Sequence, residues 1–234
     1  SGETENCKNE IRAMSDLTDK PFGVNLPLLF LRDESMIELV LEQGINFVTT
    51  SAGDPGKYID VLKSANITVY HAVPSLAGAK KAFEAGVDGL IMVNLPPEEG
   101  EKIAQPLAAQ SIDLIYLLAP TTTKERSKEI VEVASGFLYY VSLKGITGAD
   151  HFDSVEVTRK VKELKELTDL PICVGFGIKD GETAKKIAPY ADGIVVGSAF
   201  VDLVAKGGSP SEISARLKEK ASELRVAIDS AKVS

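Results

Sequence analysis

The sequence predicts an α/β chain folded as a single (β/α)8 TIM barrel over residues 1–234. Three observations lead there. Eight short apolar runs rich in β-branched residues recur along the chain, and amphipathic segments separate them. A chain of 234 residues also holds one barrel with a full core, but not two ordinary domains and a linker. Strands alternating with helices imply parallel order and right-handed crossovers. Eight such units in this length fit a closed barrel better than an open doubly wound sheet.

Taken in order, a helix-like run over residues 9–17 ends before Pro21. The strand candidates are Phe22–Leu26, Asn46–Thr50, Thr68–Val73, Gly89–Val93, Leu114–Leu118, Leu138–Ser142, Ile172–Gly175 and Gly193–Val196. Between them, Met36–Glu42, Ala79–Ala85 and Val155–Leu164 place apolar residues at i, i+3 and i+4 with charges on the remaining face, as helices packed on a sheet require. A last helix is expected from Pro210 to about Ala231, on the outside or base. No low-complexity linker interrupts the pattern, and the charges over 57–63 and 124–128 read as solvated helix faces.

Composition narrows the function. A formal charge of -8 and a pI near 5.0 argue against a nucleic-acid or anionic-membrane surface. Two cysteines, Cys7 and Cys173, exclude a disulfide framework and a cysteine-rich metal site, and Cys173 sits inside an apolar strand as a small core residue. The two histidines, His71 and His151, come with no carboxylate cluster, so no metal site is expected; His71 reads as a hydrogen-bonded interior residue and His151 as exposed. No apolar stretch reaches the ~20 residues that span a bilayer. The first residues are polar and acidic rather than those of a signal peptide, and the expected compartment is cytoplasmic.

Chemistry concentrates near the end of the chain. Pro171-Ile-Cys-Val-Gly-Phe-Gly-Ile178 and Asp192-Gly-Ile-Val-Val-Gly-Ser-Ala-Phe200 are two apolar runs that each stop on glycine. Gly197-Ser198 leads straight into Ala199-Phe-Val-Asp-Leu-Val204, so amide N–H groups at a helix start would face the end of the sheet. The plain alternative is that the glycines only permit tight turns. Two such turns after the last two strands point instead to a phosphate cradle containing Gly177, Gly197 and Ser198, with Tyr139 and Phe176 facing the ligand.

From about residue 86 onward the chain resembles the tryptophan synthase alpha subunit. The resemblance rests on Asn94-Leu-Pro-Pro-Glu-Glu99, Ala119-Pro-Thr-Thr-Thr123, Gly136-Phe-Leu-Tyr-Tyr-Val-Ser-Leu-Lys-Gly-Ile-Thr-Gly148, Gly175-Phe-Gly-Ile178 and Val196-Gly-Ser-Ala199, a little over half the chain. The earlier part resembles FMN-dependent nitronate monooxygenase and enoyl-reductase barrels, through 18–26, 47–55 and 73–81. The sequence thus resembles a hybrid, engineered or recombined, of a half over 1–90 and a half over 91–234.

The alpha-subunit resemblance implies indole-3-glycerol phosphate as ligand and a retro-aldol cleavage to indole and glyceraldehyde 3-phosphate. It adds Gly148 to the phosphate cradle and places Tyr139 on the indole side. It puts Gly145 and Thr147 in a mobile loop, where the threonine bonds the catalytic aspartate. The family's catalytic pair, a glutamate on the second strand and an aspartate in the next loop, is not matched. Thr49-Thr-Ser-Ala-Gly-Asp54 offers only Asp54, which also suits a turn before Pro55. Weak or absent lyase turnover and a disordered loop are therefore expected.

The resemblance also implies docking onto a PLP-dependent beta subunit. Pro96, Pro97, Glu98 and Glu99 match part of that surface, but Asn94 replaces an aspartate and the second-strand loop is foreign, which argues against productive docking. No cofactor is expected. The alternative is an FMN barrel, with Asn25 near the flavin and Gly175, Gly177, Gly197 and Ser198 on its phosphate; a further one is a non-catalytic scaffold that holds phosphate or sulfate.

Overall fold

The computed structural model describes residues 23–31, 34–93, 95–142, 154–175 and 177–232. All eight expected strands form, each within one residue of its expected ends, in the order β1 to β8. The chain divides into two compact units, residues 1–115 and 116–234, with the division inside β5 (Asp113–Leu118).

The first unit holds β1 (Gly23–Pro27), α1 (Ser35–Glu42), β2 (Phe47–Ser51), α2 (Ile59–Ser64), β3 (Thr68–Val73), α3 (Leu76–Ala85), β4 (Gly89–Met92) and α4 (Pro97–Ala109). Its strands pair in parallel, with Gly23 opposite Phe47, Phe47 opposite Thr68 and Tyr70 opposite Gly89. Alternation follows from one-sided burial. In β2 and β3 the side chains of Val48, Thr50, Val69, His71 and Val73 are buried, and α2 and α3 pack on β3. Helix α3 begins at Leu76, earlier than apolar spacing suggests, because Ser75 Oγ accepts the Gly78 N–H at 3.2 Å.

The second unit continues from β5 through α5 (Lys124–Val133), β6 (Leu138–Val141), α6 (Ser154–Lys165), β7 (Ile172–Gly175), α7 (Gly181–Ile187), β8 (Gly193–Val195), α8 (Ser198–Ala205) and α9 (Pro210–Lys232). Leu117 pairs with Tyr139, Tyr139 with Cys173 and Cys173 with Gly193, again in parallel. Thr123 and Asp180 cap α5 and α7 by accepting the N–H groups of Arg126 and Thr183. Lys160, 4% exposed, donates to the Thr122 carbonyl at 2.9 Å and so ties α6 to the segment between β5 and α5.

One device recurs in both units. Asp88 pairs with Lys63 and accepts the Val69 N–H at 2.8 Å, while Asp192 pairs with Lys165 and accepts the Ile172 N–H at 2.8 Å. Each aspartate thereby fastens the start of one strand to the start of the next. Both ion pairs are too exposed to contribute much themselves, so the bond to the strand N–H carries the effect. Asp192→Ala is expected to lower stability by about 1–2 kcal/mol, and Asp192→Asn, which keeps an acceptor oxygen, by less than half of that; urea titration checks both.

Among the described residues no helix is long and apolar enough to cross a membrane, and no group of His, Cys, Asp and Glu could hold a metal ion.

Candidate functional site

Where β6, β7 and β8 end, the second unit has a recess of about 140 Å³ lined by Tyr139, Gly177, Ile178, Val195, Gly197 and Ser198. Four of these six are residues singled out in the sequence. Gly177 has φ +76, a left-handed turn that a side chain would strain, and Ile178, 2% exposed, anchors the chain just past it. At the other wall Gly197 opens α8, its carbonyl accepting the N–H groups of Phe200 at 3.0 Å and Val201 at 3.2 Å. The N–H groups of Ser198 and Ala199 lie in the first turn, where a helix offers no internal partner, and no side chain caps this end. A Cβ added at Gly197 would meet nothing within 4 Å, so packing within the protein does not demand glycine there.

Among the described residues no lysine or arginine lines the recess. An anion held in it would rest on main-chain amides and the positive end of α8.

Gly175, which the FMN alternative would place on the flavin phosphate, has a packing role: a Cβ there would fall 2.4 Å from Tyr139 Cε2 and 2.5 Å from its hydroxyl oxygen. The bare glycine makes room for the ring of Tyr139. That tyrosine is half-buried, and burial, with a smaller effect from Cys173, pushes its pKa up, so the phenol stays protonated. Cys173 is a free thiol whose pKa burial also raises, and it is only partly enclosed.

The remaining candidates lie elsewhere. Asn25 and Asp54 belong to the first unit, and both are exposed. Asn25 Oδ1 accepts from Thr49 Oγ1 at 2.9 Å. Asp54 Oδ1 accepts the Gly56 N–H at 3.0 Å and caps a short 3-10 turn, Pro55–Lys57. Thr50 faces His71 instead of a ligand, with Oγ1 2.7 Å from Nδ1, and both side chains are buried. Asn94, Gly145, Thr147, Gly148, His151 and Phe176 lie outside the described residues. Ile178 and Val195 are lining residues that sequence reasoning did not single out; each directly follows or ends a glycine-flanked run already marked as a turn.

The description "Tryptophan synthase alpha chain" belongs to the family model that matches residues 41–229. That match crosses 86–91 and includes 47–55 and 73–81, two of the three segments expected to resemble FMN barrels. Among curated relatives, the tryptophan synthase alpha chain of Halorhodospira halophila is 42% identical over 176 residues, 75% of this chain and 64% of the relative. That of Marinobacter nauticus is 46% identical over 155 residues, 66% of this chain and 57% of the relative. The chain thus spans less than two thirds of the length of these relatives.

Solved structures share the fold. Tryptophan synthase of Mycobacterium tuberculosis in space group F222 superposes with a TM-score of 0.64 at 23% identity, covering 94% of this chain and 96% of the other. The alpha subunit from Legionella pneumophila strain Paris gives 0.62 at 24% identity, covering 96% and 98%. The architecture is the (β/α)8 TIM-barrel fold of those proteins. With the family model matched from residue 41 to residue 229, the chain belongs to the tryptophan synthase alpha chain family.

Proposed function

We propose that the protein binds a small phosphorylated ligand of the indole-3-glycerol phosphate type, with Gly177, Gly197 and Ser198 presenting main-chain amides to the phosphate and Tyr139 beside the aromatic part. The observation that carries this is the recess at the ends of β6–β8, which joins a left-handed glycine turn to an uncapped helix start beside a protonated tyrosine. Gly148, Thr147 and Phe176 complete the site by family resemblance. No cofactor enters the reading, and the two-cysteine composition favours a cytoplasmic setting.

Family membership supports cleavage of indole-3-glycerol phosphate as the reaction. Cleavage of indole-3-glycerol phosphate needs a base to take a proton from the glycerol hydroxyl or indole nitrogen and an acid to protonate the indole carbon as the C–C bond breaks. After β2 the nearest carboxylate in sequence is Asp54, which already accepts from Gly56. Weak or absent turnover is therefore part of the proposal. Docking onto a PLP-dependent beta subunit would use Pro96 and the start of α4; Asn94, where the family has aspartate, argues against it. The family match covers 47–55 and 73–81, two of the three segments that suggested a hybrid and FMN, so a single-family origin from residue 41 onward is preferred.

Titration calorimetry with inorganic phosphate and with indole-3-glycerol phosphate, beside an assay for indole release, tests the reading. Wild type should bind both ligands, with slow indole release or none. Ser198→Asp should weaken both about 10-fold or more, by setting a carboxylate against the ligand anion, with Tm unchanged or slightly raised, because an acid in the first turn suits the helix. A wild-type protein that binds neither ligand would overturn it.

A further inference from the structure

We propose that Ser142 is the positioning residue of the recess, holding the end of β7 so that the Gly177 turn is fixed before any anion arrives. This rests on the phosphate reading above. Ser142 follows β6 and is 8% exposed. It grips one atom twice: its N–H donates to the Gly175 carbonyl at 2.9 Å and its Oγ donates to the same oxygen at 2.7 Å. From the other side, the Tyr139 ring fills the space beside the Gly175 Cα. Tyr139 within β6 and Ser142 just after it therefore fix Gly175 in orientation and position.

The chain leaves Gly175 for the left-handed turn at Gly177, with buried Ile178 as the next fixed point. With no lysine or arginine among its described lining residues, the recess depends on where its amides point. Hydrogen bonds weaken steeply with angle and distance, so an amide that must be reoriented on binding contributes little. The backbone N–H of Ser142 alone would keep β6 and β7 paired. The buried hydroxyl adds a second constraint on the same carbonyl, which strand pairing does not need and the turn beyond it does.

The test compares wild type with Ser142→Ala, Ser142→Thr and Ile130→Val, the last a buried change on α5 away from the recess. Ser142→Ala should raise the Kd for inorganic phosphate about 10-fold, the scale on which supporting residues act, and Ser142→Thr should return it to within about 2-fold. Ile130→Val should lower Tm with Kd unchanged. In amide NMR spectra of the free protein, Ser142→Ala should move the Gly177 resonance and leave that of Gly197 in place. If Ser142→Ala fails to fold, Ser142→Cys, with its weaker S–H donor, replaces it under the same expectations.

A Ser142→Ala protein that binds phosphate like wild type overturns the inference and leaves the site reading standing. So does a Kd that tracks Tm across all variants, Ile130→Val included. Failure of wild type to bind phosphate removes both.

Discussion

Gly175→Ala is expected to destabilise the protein by about 3 kcal/mol, the upper end of what overpacking a filled interior costs. The added methyl would lie 2.4 Å from Tyr139 Cε2 and 2.5 Å from its hydroxyl oxygen, closer than any real contact. The obstacle is a ring held between strands, not the far end of a flexible chain. Either the ring leaves its place or β6 and β7 separate, and in both cases one wall of the recess is lost, so phosphate binding should fail along with stability. Tyr139→Ala in the same chain opens the space again. Urea titration of the two single variants and the double should then give a coupling of about 1–2 kcal/mol. Strictly additive losses would mean the ring and the glycine do not share that space.

Acid should weaken the protein through His71. The imidazole is buried, faces Thr50 Oγ1 at 2.7 Å, and has its pKa lowered by burial, with a smaller opposing effect from Asp54. The sign follows from where protons go. Above the unfolded value of about 6.5, neither state carries the proton and His71 costs nothing. As pH falls below it the unfolded chain binds a proton that the folded chain refuses. Stability then drops by up to about 1.4 kcal/mol per pH unit until the folded pKa is reached. Urea titrations between pH 7.5 and pH 5 should show this slope in wild type. His71→Gln, which retains hydrogen-bonding capacity without a charge, should flatten it; an unchanged slope would mean that other groups carry the acid sensitivity.

The strands were legible because burial is one-sided: Val48 and Thr50 alternate with Phe47 and Thr49, and the period of two survives in the sequence. Helix starts were less so, since Ser75 and Thr123 set them by capping and apolar spacing does not register a cap. The role of Asp54 as a turn residue was visible in Asp-Pro. The role of Gly175 was not legible, for a physical reason. Glycine at a strand end gives the same signal whether a ligand or a neighbour's ring needs the room, and the ring belongs to another strand. The two aspartate fastenings were within reach: Ala79-Lys-Lys and Ala184-Lys-Lys each precede an Asp-Gly pair, Asp88-Gly89 and Asp192-Gly193. The double grip of Ser142 left no such trace, because it joins a serine to a backbone oxygen, and any residue could have supplied the oxygen.

A receptor whose contacts are peptide nitrogens has little side-chain chemistry for mutation to erase. If the recess holds an anion as proposed, rim residues other than those that set the backbone, such as Ser142, Tyr139 and Gly175, could be rewritten while the grip on the anion persists. The same economy would limit discrimination: with no guanidinium fork or ammonium among the described lining residues, selectivity among phosphate esters would fall to whatever the protein touches beyond the phosphate. Divergence at the rim then becomes a route to new ligands that leaves the anchor intact.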